Sequence, residues 1–66
     1  MYKLYKGAFG VYPEEEDIIA ICDSNWYKMI EAYGLEHTPY IGMMTIDGDT
    51  FIDFGSWSYF VVETER

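Results

Sequence analysis

The spacing of apolar residues along the chain predicts mainly β-strands. Apolar residues alternate with polar ones, or form short apolar runs, in residues 2–12, Ile18–Cys22, 40–46, 50–54 and 57–63. Alternation is typical of half-buried strands, whereas Ile18–Cys22 has no polar position and predicts a strand buried at the centre of a sheet. The tail from Glu63 to Arg66 lacks such a pattern and is expected to be frayed.

One segment has the spacing of a helix. Apolar residues follow at intervals of three and four, namely Trp26, Met29, Ile30 and Tyr33, which places them on one helical face. Residues 23–25, Asp-Ser-Asn, offer three N-cap residues in succession. Gly34 stands where a left-handed residue ends a helix, with Leu35 positioned to contact Ile30 in a Schellman motif.

Turn-forming residues separate the elements. Asp47 and Gly48 stand between two apolar runs, which is a strong signal for a β-hairpin. Gly55 indicates a tight turn or bulge before the last strand. Pro13 and the acidic residues that follow it indicate an exposed connection between the first two strands.

The predicted order of elements is β-β-α-β-β-β, or β-β-α-β-β if Gly55 only bends one long strand. A chain of 66 residues has room for one core, so residues 1–66 form a single domain. We expect an α+β fold in which a small antiparallel sheet of four to five strands carries one helix packed on one face. The opposite face would be exposed to solvent or covered by another chain.

Charge is the most unusual property of the composition. Twelve acidic residues stand against three lysines and one arginine, for a net charge of −8. Proteins that bind DNA or RNA directly need basic groups to neutralise phosphates, and here only Arg66 offers a guanidinium. We therefore expect no direct nucleic-acid binding, and a basic protein as the preferred partner.

Cysteine content and hydropathy bear on the compartment. Cys22 is the only cysteine, so no disulfide forms within the chain. The first residues lack the pattern of a secretion signal, and the longest apolar runs are far shorter than the roughly 20 residues that span a bilayer. These features predict a cytoplasmic protein without a membrane partner.

Candidate residues for catalysis are few. Cys22 and His37, with Asp23 nearby, have the chemistry of a nucleophile, a base and an orienting acid, but their spacing matches no catalytic motif. One cysteine and one histidine also cannot complete a tetrahedral zinc site within one chain. We expect neither an enzyme nor a bound metal or other cofactor.

Three aspartates near the hairpin, Asp47, Asp49 and Asp53, place several carboxylates on a short segment, as calcium requires. However, Phe51 occupies a ligand position, and the glycine and closing glutamate of a calcium loop are misplaced. Aspartates that favour a turn and protect a strand edge explain the pattern better.

Two groups of residues are candidates for binding a partner. The first is the acidic run Glu14, Glu15, Glu16 and Asp17, which either imitates the phosphate spacing of nucleic acid or only keeps an aromatic-rich protein in solution. The second is aromatic, because one small core has too little room for all of Tyr2, Tyr5, Tyr12, Tyr27, Tyr40, Trp57 and Tyr59. Tyrosine and tryptophan are typical interface anchors, although tyrosine is also common as a half-buried strand residue. Among these we select Trp57 and Tyr59, and a homodimer would use the same patch.

The short length, strong acidity, abundant aromatic residues and α+β order make the chain similar in format to small phage-encoded inhibitors such as anti-CRISPR proteins and DNA mimics. The similarity extends over the whole chain in character and involves no shared motif, so no functional residue is transferred from that class. It implies an inhibitor in the host cytoplasm that blocks a nuclease or another nucleic-acid-binding protein by occupying its basic channel or an assembly surface.

A different class of function stays open. An intracellular self-assembling or adaptor module would use the uncovered sheet face to dimerise, and its acidity would serve solubility alone. A module that sequesters a small signalling ligand between subunits is a third class, which the scarcity of basic residues disfavours for nucleotides. Sedimentation at low concentration separates a stable homo-oligomer from a monomer that awaits a foreign partner.

Overall fold

The computed structural model describes residues 1–65, which form one antiparallel sheet of five strands and one helix. We number the elements β1, β2, α1, β3, β4 and β5 in chain order. Their bounds are Tyr2–Lys6, Ile18–Cys22, Trp26–Ala32, Gly42–Ile46, Asp49–Asp53 and Tyr59–Glu63. The predicted α+β class and the order β-β-α-β-β-β are confirmed. Arg66 lies outside the described residues.

The strands lie in the order β2-β1-β5-β4-β3, and every neighbouring pair is antiparallel. The first and last strands of the chain, β1 and β5, therefore lie side by side in the sheet. The terminal amine of Met1 donates to the Thr64 carbonyl at 2.9 Å, and the Thr64 amide donates to the Met1 carbonyl at 2.8 Å. The prediction of a frayed tail is thus wrong for Glu63, which pairs with β1 and β4, and for Thr64, which is bonded to Met1.

The apolar segment Ile18–Cys22 is an edge strand, and the prediction that it lies at the centre of the sheet is wrong. β2 pairs with β1 alone among the described strands. Ala20 and Cys22 pack against the helix-side residues of the core. Ile19 and Ile21, in contrast, are 37% and 54% exposed. A continuous apolar run therefore does not show that a strand has a neighbouring strand on each side.

The helix α1 ends as predicted but begins differently. At its C-terminus the Leu35 amide donates to the Ile30 carbonyl at 3.0 Å and the Gly34 amide to the Glu31 carbonyl at 2.9 Å, which is the Schellman pattern. At its N-terminus Asn25 is left-handed, with φ 54° and ψ 59°, and its side chain makes no capping hydrogen bond. Buried side chains on one face of this short helix must therefore supply much of its stability.

The hairpin between β3 and β4 is confirmed. Ile46 pairs with Asp49 across a two-residue loop, in which Asp47 has φ 51° and Gly48 has φ 84°. Two positive φ angles are characteristic of the type I′ turn, whose twist matches that of the strands. The second strand begins at Asp49, one residue earlier than predicted.

Buried side chains form a cluster on each face of the sheet. The cluster between the helix and the sheet, called the helix-side cluster, contains Leu4, Trp26, Met29, Ile30, Ile52, Phe54 and Val61. The cluster on the opposite face, called the second-face cluster, contains Tyr5, Phe51 and Val62, with Phe9, Ile18, Ile46 and Phe60 packed against it.

The chain itself packs over the second face, so the prediction that this face is open or covered by another chain is wrong. β1 ends at Lys6 instead of extending to Tyr12, and residues 7–17 leave the sheet. The Phe9 ring stacks on Phe60 with centroids 5.8 Å apart, and the Tyr12 ring meets Phe51 edge-on at 5.0 Å. The alternating apolar residues that indicated a longer strand are thus residues of a packed connection.

Candidate partner-binding surface

The acidic run forms a closed turn immediately before β2. The Asp17 amide donates to the Glu14 carbonyl at 3.0 Å, and the Glu14 amide donates to Asp17 Oδ2 at 3.3 Å. Asp17 is half-buried, whereas Glu14, Glu15 and Glu16 are exposed. Three of the four acids selected from the sequence therefore face solvent, and the fourth helps to close the turn that presents them.

The two selected aromatic residues have different environments. Trp57 is 92% exposed and lies in the connection between β4 and β5; the prediction that it begins the final strand is wrong, because β5 starts at Tyr59. Ser58, with φ 61°, separates it from β5. Tyr59 begins that strand, is half-buried and packs against the helix-side cluster. Trp57 is therefore free to contact a partner with its whole indole, whereas Tyr59 offers only part of its surface.

The sheet topology starts β2 and β5, the strands that follow the acidic turn and Trp57, at the same end of the sheet. β2 and β5 flank β1 on opposite sides, and both are antiparallel to it. Their first residues, Ile18 and Tyr59, pair with neighbouring residues of β1, namely Tyr5 and Lys6. The segments that precede β2 and β5 consequently emerge at this end of the sheet.

Tyr40 belongs to the same end and was not selected from the sequence. It is 82% exposed and lies in the connection that enters β3 at Gly42, the residue paired with Asp53. The Thr38 amide donates to the Phe54 carbonyl at 3.0 Å, and the Thr38 hydroxyl donates to the Tyr40 carbonyl. The sequence predicted Tyr40 to begin the strand 40–46, whereas β3 starts at Gly42 and Tyr40 lies in the connection before it.

The structure separates the aspartates of the hairpin. Asp49 is 7% exposed and accepts a hydrogen bond from the Tyr12 hydroxyl at 2.8 Å. Asp53 lies at the other end of β4, where Oδ1 accepts from the Gly55 amide at 3.0 Å. These carboxylates hold a connection and a turn, and Asp47 is exposed in the loop.

Cys22 and His37 also lie apart. Cys22 ends β2 opposite Tyr2, whereas Thr38, the residue after His37, is bonded to Phe54 at the other end of the sheet. The His37 ring meets the Tyr27 ring edge-on at 5.9 Å. Within residues 1–65 we find no group of three or more His, Cys, Asp or Glu side chains arranged to hold a metal ion.

A small cavity lies under the connection on the second face. Its volume is about 110 Å³, and its lining residues are Lys3, Tyr12, Pro13, Ile18, Val62 and Thr64. Binding sites for small molecules usually have volumes of about 300–1,000 Å³. This cavity is too small for a nucleotide or a similar metabolite.

Two tyrosine hydroxyls of β1 have raised pKa values. A hydrogen bond to the Glu63 side chain, together with burial, raises the pKa of Tyr2, its cross-strand neighbour. Burial in the second-face cluster raises the pKa of Tyr5 to about 12. Both residues therefore stay protonated at neutral pH, and the surface charge at this pH comes from the carboxylates and the few basic groups.

No protein-family model, curated protein or solved structure matches this chain. In addition, no helix among residues 1–65 is long and apolar enough to cross a lipid bilayer. Any assignment of function therefore depends on the surface just described.

Proposed function

We propose that this protein is a small phage-encoded inhibitor that binds the basic surface of a nucleic-acid-binding or CRISPR-type defence protein and blocks it without catalysis. The observation that supports this most directly is the exposure of Glu14, Glu15 and Glu16 on a closed turn at the end of the sheet that also carries Trp57. A net charge of −8 adds a long-range attraction to any basic groove.

The two kinds of side chain would act on different steps of binding. Exposed carboxylates attract a basic surface and speed association, an effect that salt screens. The indole of Trp57 would bury its apolar area on contact, which slows dissociation. The connection over the second face keeps the acidic turn attached to a packed domain, so little ordering entropy is lost on binding.

Neutralising the acidic turn tests the contribution of charge. The variant Glu14→Gln, Glu15→Gln and Glu16→Gln should lose the basic proteins that the tagged wild type retains from a bacterial lysate at low salt. The matched control changes three other exposed acids, Glu31→Gln, Asp47→Asn and Glu65→Gln, and alters the net charge equally.

Mass spectrometry of the retained proteins distinguishes the outcomes. The control should retain the wild-type set, and high salt should release it. A recovered protein should then lose nucleic-acid binding when the wild type is added. Equal retention by both triple variants would contradict a role for the acidic turn, and retained nucleic-acid binding would contradict inhibition.

Trp57→Ala tests the aromatic contact. Because Trp57 is 92% exposed, stability should change by no more than about 0.5 kcal/mol, while dissociation from the recovered partner should accelerate at least about tenfold. Surface plasmon resonance measures the rate, and Met43→Ala, at an exposed residue of β3, serves as the control. An unchanged dissociation rate would remove Trp57 from the interface.

A self-assembling module is the second candidate, favoured by the exposure of Trp57 and Tyr40 at 92% and 82% in the single chain. A second copy that packs against these rings would bury them. Sedimentation velocity at low micromolar concentration separates the candidates: a stable dimer abolished by Trp57→Ala supports self-assembly, and a monomer supports a foreign partner.

A further inference from the structure

We infer that β2 is a docking edge for the basic partner, and that an extended partner segment with basic residues at both ends adds to the sheet there as a strand. This inference rests on the proposed function and names the part of the partner that makes contact. Three properties of β2 carry it: its edge position, its composition and the charges beside it.

The position of β2 leaves backbone groups available. It pairs with β1 on one side, and no other described strand lies on its other side. Alternate residues of an edge strand direct their N–H and C=O groups outward, where an extended peptide can bond to them. The Ile19 carbonyl accepts a long hydrogen bond of 3.5 Å from the hydroxyl of Tyr33, a residue that is 53% exposed, and an incoming strand would replace this hydroxyl.

The composition of β2 gives this edge no protection, and the one irregularity in its described pairing with β1 is a register shift between Leu4 and Tyr5. Edge strands usually carry lysine, proline or an inward-pointing charge that prevents pairing with another chain. Ile18–Cys22 has none of these, and Ile19 and Ile21 expose apolar surface on it. An incoming strand would bury both side chains while it bonds to the backbone.

The charges beside β2 decide what can occupy the edge. The acidic turn at Glu14–Asp17 precedes the strand directly, and the exposed Asp23 follows it. If a second copy paired antiparallel, its acidic turn would face Asp23; if it paired parallel, acidic turn would face acidic turn. Like charges oppose both arrangements, whereas lysine or arginine on both sides of an apolar core complements them.

The other edge lacks this combination. β3, Gly42–Ile46, has Asp47 at one end but the uncharged Tyr40 and Ile41 before its start. It therefore provides an internal control for any effect assigned to β2. Met43 on β3 is 59% exposed, comparable to Ile21 on β2.

The test uses the whole protein and a synthetic peptide with a Val-Thr-Val-Thr-Val core and two lysines at each end. A second peptide has the same sequence but N-methylated alternate core residues, so it keeps the charge and loses the hydrogen-bond donors. Amide hydrogen exchange is followed residue by residue by NMR, with binding by titration calorimetry. We expect the first peptide to slow exchange at Ile18–Cys22, and the second to bind at least about tenfold more weakly.

Substitutions at the two edges provide the matched pair. Ile19→Lys should weaken peptide binding at least about tenfold, because lysine is the residue that natural edge strands use against pairing. Met43→Lys adds the same charge at the opposite edge and should change binding less than about twofold. If circular dichroism shows that Ile19→Lys does not fold, the comparison of the two peptides on the wild type still tests whether a strand is added at β2.

Several results would overturn the inference. Slowed exchange confined to Gly42–Ile46, or no binding of the first peptide, removes β2 as the docking edge. If both peptides bind equally and neutralising Glu14, Glu15 and Glu16 abolishes this binding, then charge attracts the peptides and no strand is added. This result would contradict docking at β2 but would be consistent with the proposed function. In the absence of peptide, amide exchange at Ile18–Cys22 could become slower as the protein concentration rises. This result would mean that a second copy of the chain occupies the edge.

Discussion

At the scale of single residues, two tyrosine hydroxyls fasten the connection that covers the second face. Tyr5 is fully buried, and its hydroxyl donates to the Ala8 carbonyl at 2.9 Å near the start of this connection. Tyr12 reaches the hairpin, where the Ile46 carbonyl at 3.1 Å and Asp49 Oδ2 at 2.8 Å share the single proton of its hydroxyl. The connection is therefore held near its start by the Tyr5 side chain and further along by the Tyr12 side chain.

The buried Tyr5 predicts a loss of stability at high pH. Its pKa is raised from 10.0 to about 12 in the folded protein, so the unfolded chain releases this proton first. The stability associated with protonated Tyr5 is complete below about pH 10 and is lost as the pH rises towards 12, by roughly 2–3 kcal/mol. Urea unfolding between about pH 9 and pH 12 measures this slope.

Tyr5→Phe is the matching variant for that measurement, because it removes the titrating group and keeps the ring. Its free energy of unfolding should fall less steeply with pH than that of the wild type. Tyr40→Phe, at an exposed position, should keep the full slope. Identical slopes for wild type and Tyr5→Phe would show that other groups cause the alkaline loss.

Tyr12→Phe is expected to destabilise the protein by about 1–3 kcal/mol, because the nearly buried carboxylate of Asp49 loses a hydrogen-bond donor. In a domain of this size each kilocalorie lowers the melting temperature by about 4–8 °C. Tyr40→Phe removes a hydroxyl from an exposed ring and should change stability by less than about 0.5 kcal/mol. Thermal unfolding followed by circular dichroism compares the two, and equal melting temperatures would refute the role given to Tyr12.

At the scale of elements, the connections differ in whether they have room for an added side chain. Gly34 and Gly55 both have positive φ, at 70° and 94°, and alanine is strained at either. A Cβ at Gly34 would meet no atom within 4 Å, whereas one at Gly55 would lie 2.6 Å from Thr38 Cγ2. The turn after β4 is therefore packed against the connection into β3.

This difference predicts unequal costs for the same substitution. Gly34→Ala should destabilise by about 1 kcal/mol from backbone strain alone. Gly55→Ala should cost roughly 2–4 kcal/mol, because the clash with Thr38 adds to the strain. Chemical denaturation of both variants measures the difference, and equal costs would mean that Thr38 moves aside freely.

At the scale of the whole molecule, the net charge of −8 should oppose compaction. Repulsion among the carboxylates is strongest in the folded chain and is screened by salt. The melting temperature should therefore rise between about 20 mM and 500 mM sodium chloride. Potassium chloride should act alike, since screening depends on ionic strength. A melting temperature that falls steadily with added salt would show that attractive ion pairs dominate.

Local features of the fold were predictable from the sequence. The end of α1, the hairpin at Asp47-Gly48 and the number and order of the elements depend on backbone conformations and hydrogen bonds within a few residues. The acidic turn was also found from the sequence, as an exposed connection after Pro13. Each of these features is decided by neighbours in the chain, which a sequence shows directly.

The tertiary structure alone decided what each apolar residue packs against. A period of two places Phe9 and Tyr12 on opposite faces of a strand, but both rings pack on the second face from a connection. In the same way Ile18–Cys22 has the composition of a central strand, yet it forms an edge, because β5 pairs with the other side of β1. Strand order depends on contacts between residues far apart in the chain, and hydrophobicity, being without direction, does not specify them.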